Sequence, residues 1–148
     1  MTLTDIENEY TKLTNEFDTL FEEIIDNVSL DDKTLKDALK TQLPMQLQLE
    51  SLSKRTNYLH DNAEIALDDE YGKAIKEVMS DGYKSVSITE AKMYAASNVD
   101  YKHARRVVTK VKRLRDEVKG SLDVINSRKY TLHNLTNALV AGVDRTIL

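Results

Sequence analysis

The sequence predicts an all-α protein, and three observations carry that prediction. Gly and Pro are scarce, 4 and 1 in 148 residues, while 31% of the chain is charged; long helices suit that composition and turn-rich folds do not. Apolar residues recur at alternating steps of four and three, the spacing of one helix face. Only 2 Phe and no Trp are present, too few for a thick globular core. The expected architecture is therefore elongated helices, among them a long C-terminal one. They would meet along thin, coiled-coil-like seams that neighbouring copies complete in a helical homo-oligomer.

The first helix is expected to begin near Thr4, with Glu7 three residues on as its capping-box partner. Its seam is Ile6, Tyr10, Leu13, Phe17, Leu20 and Ile24. Glu9, Glu16, Glu23 and Asp26 make the opposite face acidic, and residues 27–30 read as a break. A second helix starts at Asp31 or Asp32, either of which can cap it, with Leu35, Leu39 and Leu43 as its apolar line. Pro44 interrupts it, because proline lacks the N–H and clashes with the preceding turn. Proline also suits the first turn of a new helix, so a kink or short turn is expected there.

A third run covers residues 45–79. Met45, Leu49, Leu52, Thr56, Leu59, Ala63 and Ala66 continue the 4-3 spacing, weakly, since Thr56 is polar and the alanines are small. Gly72 ends or loosens this helix. Residues 80–85 read as a loop and residues 86–88 as a short extended segment. The last helix has the best start signal: Ser87 and Glu90 match a capping box, and Val86 is placed to staple onto Ala91. No proline follows, so one helix is expected to run to about Ala141, with Gly142 as its C-cap. Fifty residues of helix span about 75 Å, with Gly120 as a bend costing roughly 1 kcal/mol relative to alanine.

Charge divides the chain. Residues 1–80 hold 8 Lys and Arg against 18 Asp and Glu, a balance of −10; residues 81–148 hold 13 against 7, a balance of +6. Within one continuous domain, residues 1–80 read as an acidic region for assembly and protein partners. Residues 81–148 read as a basic region for DNA binding and oligomerisation. The positive charge concentrates in Lys102, Arg105, Arg106, Lys110, Lys112, Arg113, Arg115 and Lys119, opposed in that stretch only by Asp116 and Glu117. At about 100° per residue, Ala104, Val107, Val108, Val111, Leu114 and Val118 share one face, and the cations fill the remainder.

Such a helix is a phosphate track whose binding weakens steeply with salt. The competing reading is a solvated face, or one paired with the chain's own acidic half. Tyr94, Tyr101 and Tyr130 lie beside basic residues, where tyrosine either stacks on unpaired bases or serves as seam and surface. A membrane partner is not expected: the apolar face is valine and alanine without Trp or Phe, and no apolar run approaches about 18 residues.

Catalytic constellations are not evident. Without cysteine there are no disulfides or thiolate metal sites. His60, His103 and His133 read as isolated, with no ligating partner at helical spacing, and Asp68, Asp69 and Glu70 read as a solvated face. No P-loop or Gly-rich dinucleotide turn occurs, and residues 85–87 do not resemble a nucleophile motif. A non-enzymatic protein without metal or cofactor is expected. The N-terminus lacks the basic and apolar regions of a signal peptide, so a cytoplasmic setting is the simplest reading.

Two segments, SITEAKMYAASNVDYK and SLDVINSRKYTLHNLTNALVAG, with the basic helix between them cover about residues 87–142. They resemble the UvsY family of bacteriophage recombination mediators, with Leu122, Asp123, Ile125, Ser127, Arg128, Tyr130 and His133 in the expected positions. The resemblance implies single-stranded DNA binding and ring-like homo-oligomers in the cytoplasm of an infected bacterial host. It also implies help to a RecA-like recombinase in displacing the single-strand-binding protein and forming its filament. Arg128 and Lys129, in the family's SR-aromatic stretch, become candidate DNA or assembly residues. Residues 102–119 are more basic than the family pattern demands. The rival reading is a helical structural or adaptor protein of phage assembly, without DNA binding.

Overall fold

The computed structural model describes residues 1–28, 34–80 and 86–142. Among them it contains four helices and no strand: α1 (Leu3–Val28), α2 (Leu35–Ser80), α3 (Ile88–Ala95) and α4 (Val99–Val140). The all-α expectation holds. No helix among the described residues is long and apolar enough to cross a membrane.

α1 opens two residues before the sequence-based cap. The Thr2 hydroxyl accepts from the Asp5 amide at 3.2 Å and the Asp5 carboxylate accepts from the Thr2 amide at 2.8 Å. This reciprocal pair satisfies two N-terminal donors and leaves Thr4 and Glu7 inside the helix. Ile6, Leu13, Phe17, Leu20 and Ile24 are buried and Tyr10 is half-buried, as the 4-3 pattern requires. Residues 27 and 28 still belong to α1; residues 29 and 30 of the expected break lie outside the described residues.

α2 departs most from expectation. Asp31 and Asp32 lie outside the described residues, and the Thr34 hydroxyl caps the helix by accepting from the Asp37 amide at 3.2 Å. Pro44 neither ends α2 nor divides it: residues 35–80 form one helix with Pro44 inside, on an exposed face. The lost N–H is outweighed by a seam that runs unbroken past it. Ala38, Gln42, Met45, Leu49, Leu52, Thr56, Leu59, Ala63 and Ala66 are all buried, in alternating steps of four and three. That phase places Leu39 and Leu43 outside, 44% and 59% exposed, so these leucines are not the apolar line. Gly72 likewise sits within the continuous helix. Of the expected loop, Ser80 closes α2 and residues 81–85 lie outside the described residues.

The expected single C-terminal helix is two helices. The Ser87–Glu90 capping box forms with both bonds present, and Ile88 is already helical rather than extended. The helix then stops at Ala95. The Asn98 side-chain oxygen accepts from the amides of Asp100 and Tyr101 at 2.9 and 3.1 Å, so Asn98 is the N-cap of a new helix. α4 ends at Val140, and Gly142 just beyond it has φ +72° and donates its amide to the Leu139 carbonyl. The left-handed conformation is one glycine adopts without steric cost, and the C-cap expectation holds.

The described chain forms two compact units, residues 1–12 with 56–115 and residues 13–55 with 116–148. Each draws on both the acidic and the basic half. In the first unit Glu7 meets His103 at 3.2 Å, His60 meets Arg115 at 3.1 Å, and the rings of Tyr71 and Tyr101 lie 5.1 Å apart. These contacts tie α1, α2 and α4 around Ile6, Leu59, Ala63, Ala104, Val107 and Val111. In the second unit Arg55 grips both oxygens of Glu16 at 2.6 and 3.1 Å. Leu13, Phe17, Leu49, Ile125 and Leu132 fill its interior.

Candidate nucleic-acid interface

α4 positions the basic residues by a strict register. Ala104, Val107, Val111, Leu114, Val118, Ser121, Ile125, Arg128 and Leu132 are all buried, in alternating steps of three and four. At about 100° per residue, Lys102, Arg105 and Arg113 then stand most nearly opposite that seam, with Lys112 on one flank and Arg106 and, nearer the seam, Lys110 on the other. All six are exposed and all lie in the first unit. Val108 is half-buried beside the seam.

No carboxylate among the described residues forms an ion pair with any of the six. The acidic residues of the first unit are engaged elsewhere in part: Glu7 with His103 and Glu70 with Lys73. Lys102, Arg105, Arg106, Thr109 and Lys110 line a shallow depression. Six like charges within about three turns repel one another, and a polyanion relieves that repulsion. Thr109 stands in the middle of the cationic face, a polar group that a search for charge alone passes over.

Four of the expected site residues stand apart. Arg115 is half-buried and directs its guanidinium to His60 Nδ1. Lys119 and Lys129 are exposed, in the second unit. Arg128 corrects the sequence-based assignment. It occupies a seam position, is 5% exposed, and donates to Gln42 Oε1 at 3.0 Å and Thr41 Oγ1 at 3.1 Å. Gln42 in turn donates to the Ile125 carbonyl at 2.9 Å. Burial without a carboxylate partner pushes the Arg128 pKa down from its ordinary value. A guanidinium held this way is not presented to phosphate; it pins the register between α2 and α4 in the second unit.

Tyr101 is half-buried against Tyr71, which removes it as a stacking platform. Tyr94 and Tyr130 are exposed, 64% and 71%, but on α3 and in the second unit respectively. The cationic face of residues 102–113 thus carries no aromatic ring.

His60 is less isolated than the sequence suggested. With Asp61 and Glu64 it places three ligand atoms within 4.8 Å of one another, and the His60–Glu64 spacing of four is legible in the sequence. Arginine only donates, so Arg115 at 3.1 Å from Nδ1 makes that nitrogen an acceptor and leaves the neutral ring's proton on Nε2. Nε2–H then faces Glu64 at 3.8 Å, with no lone pair for a metal, and the guanidinium opposes a cation. The His60–Arg115 contact joins α2 to α4 within the first unit.

No family model, curated protein or solved structure matches the chain.

Proposed function

We propose that the chain binds single-stranded DNA and serves as a recombination mediator, loading a RecA-like recombinase onto strands covered by single-strand-binding protein. The observation that carries the reading is the outward face of α4 over residues 102–113, six cations with no ion-pairing carboxylate among the described residues. The resemblance of residues 87–142 to UvsY-type mediators supplies the biological role. Binding is electrostatic. Each neutralised phosphate releases counterions, and several copies in a homo-oligomer present repeated faces whose weak contacts add through avidity. No bond is made or broken, and the protein uses no cofactor.

The second reading, a helical adaptor without DNA binding, draws on the exposed Leu39, Leu43 and Leu47 of α2. A titration of labelled single-stranded DNA across a salt series, run beside a mass measurement of the protein, separates the two. The mediator reading expects saturable binding at low salt that falls steeply as salt rises. Absence of binding at low salt, with a particle mass that drops as salt rises, supports the adaptor and removes the mediator.

A further inference from the structure

A face of cations reads phosphate, and charge density alone favours duplex, which presents one charge per about 1.7 Å of axis against about 3.4 Å for one strand. A preference for single strands needs a surface for unpaired bases, and an exposed aromatic ring supplies one. Among the described tyrosines of the first unit, Tyr10 is half-buried, and Tyr71 and Tyr101 pack on each other with centroids 5.1 Å apart. Tyr58 and Tyr94 remain, each 64% exposed. Neither ring meets another among the described residues.

The two differ in setting. Tyr58 lies on α2, with Asp61 and Asn62 in the turn that follows. Tyr94 lies in the last turn of α3, directly after the exposed Lys92 and Met93, and leads into α4. The connection is compact: Ser97 donates its amide to the Tyr94 carbonyl, Asn98 to that of Ala95 and Lys102 to that of Asn98, each at 3.0 Å. Ala91 and Ala95 are buried, and the Asn98 side-chain amide donates to Glu77 at 3.3 Å, so α3 and the step into α4 are held against α2. At about 1.5 to 2.0 Å per residue, this stretch places the Tyr94 backbone roughly 12 to 16 Å from that of Lys102, where the cations begin. A strand lying on those cations covers that distance in about four nucleotides.

We infer that Tyr94 is the base-stacking platform beside the cationic face of α4, and that it selects single strands over duplex. The inference rests on the single-strand reading proposed above. The cations supply affinity that depends on salt, and the ring supplies affinity that depends on a base being unpaired. Every base has a π-face, so the selection is for strandedness and not for sequence.

The test titrates the full chain with a labelled thymidine oligonucleotide and with a duplex of the same length. Tyr94→Leu is expected to weaken single-strand binding about tenfold, with the salt slope unchanged and duplex affinity within about twofold. Tyr94→Phe keeps the ring and is expected to bind as the parent does. Tyr58→Leu, at an equally exposed ring of the same unit, is expected to change neither affinity. The chain has no Trp, so Tyr94→Trp introduces a single emitter; the single strand is expected to quench it, and to leave Tyr58→Trp unchanged. Parent-like single-strand binding by Tyr94→Leu, beside an intact salt dependence, overturns this inference and leaves the single-strand reading standing. An equal loss on single strand and duplex, or emission from Tyr94→Trp that the strand does not alter, overturns it in the same way. A parent that binds no single strand at low salt overturns both.

Discussion

Arg128 and Gln42 form a buried polar pair whose energetics are open to a double-mutant cycle. Gln42→Leu removes the acceptor at 3.0 Å and leaves a guanidinium, 5% exposed, with only the Thr41 hydroxyl. Removing one partner of a buried charged group costs about 3 kcal/mol. Arg128→Met keeps the side-chain length and removes the charge. It strands only the neutral Gln42 oxygen, at a cost of about 1 kcal/mol. The double variant strands nothing charged and closes the seam with apolar atoms, so it is expected within about 1 kcal/mol of the parent. The cycle should therefore show a coupling of roughly 3 kcal/mol, read from urea midpoints at constant slope. Additivity within about 0.5 kcal/mol would refute the buried network. The same Arg128→Met variant should bind single-stranded DNA as the parent does, because its guanidinium faces Gln42 and not solvent.

Three further outcomes follow from the register and the caps. Leu49→Ala, at a fully buried seam position, should cost about 3 kcal/mol, while Leu43→Ser, at a 59% exposed one, should stay within about 0.5 kcal/mol; the reverse order in urea melts would place the seam on the other face. Asn98→Ala should lower stability by about 1 kcal/mol, since it frees the Asp100 and Tyr101 amides; unchanged hydrogen exchange at those two amides would contradict the cap. The Thr2 hydroxyl and amide hold the Asp5 carboxyl below its ordinary value of 3.8. A depressed folded pKa contributes stability that is full above the ordinary value and lost as pH falls through the lower, folded one. Protection at the start of α1 should therefore fade only under acid conditions, and should be weak at every pH in Thr2→Val.

Much of the fold was legible because its signals are local or strongly periodic. The α1 seam from Ile6 to Ile24 and the run from Met45 to Ala66 repeat the 4-3 step often enough to set their own phase. Ser87 with Glu90, and Gly142, act over three or four residues and need no tertiary knowledge. Leu39 and Leu43 misled because a short leucine line looks like a seam, whereas the phase that wins is carried by Ala38 and Gln42 from the longer run behind them. Pro44 misled as a helix boundary because its local penalty is real but smaller than the packing on either side. The break before α4 rested on a single Asn–Val–Asp step, easily lost inside a long apolar pattern. At the candidate interface, residues 102–113 were legible because their exposure is the complement of a regular seam. Arg128 was not: its sequence context marks a position without saying on which side of α4 it falls. Extending the three-four register from Ile125 would have put it inside.

A salt series with one charge-reversed variant decides whether the cations of residues 102–113 meet phosphate. Single-strand affinity should fall with log salt at a slope of about 0.7 per phosphate contact. Arg106→Glu combined with Lys110→Glu and Arg113→Glu removes three such contacts at exposed positions. The variant's slope should be shallower by about 2 and its low-salt affinity much weaker, with helicity unchanged. A variant with the parent's slope and affinity would contradict the account.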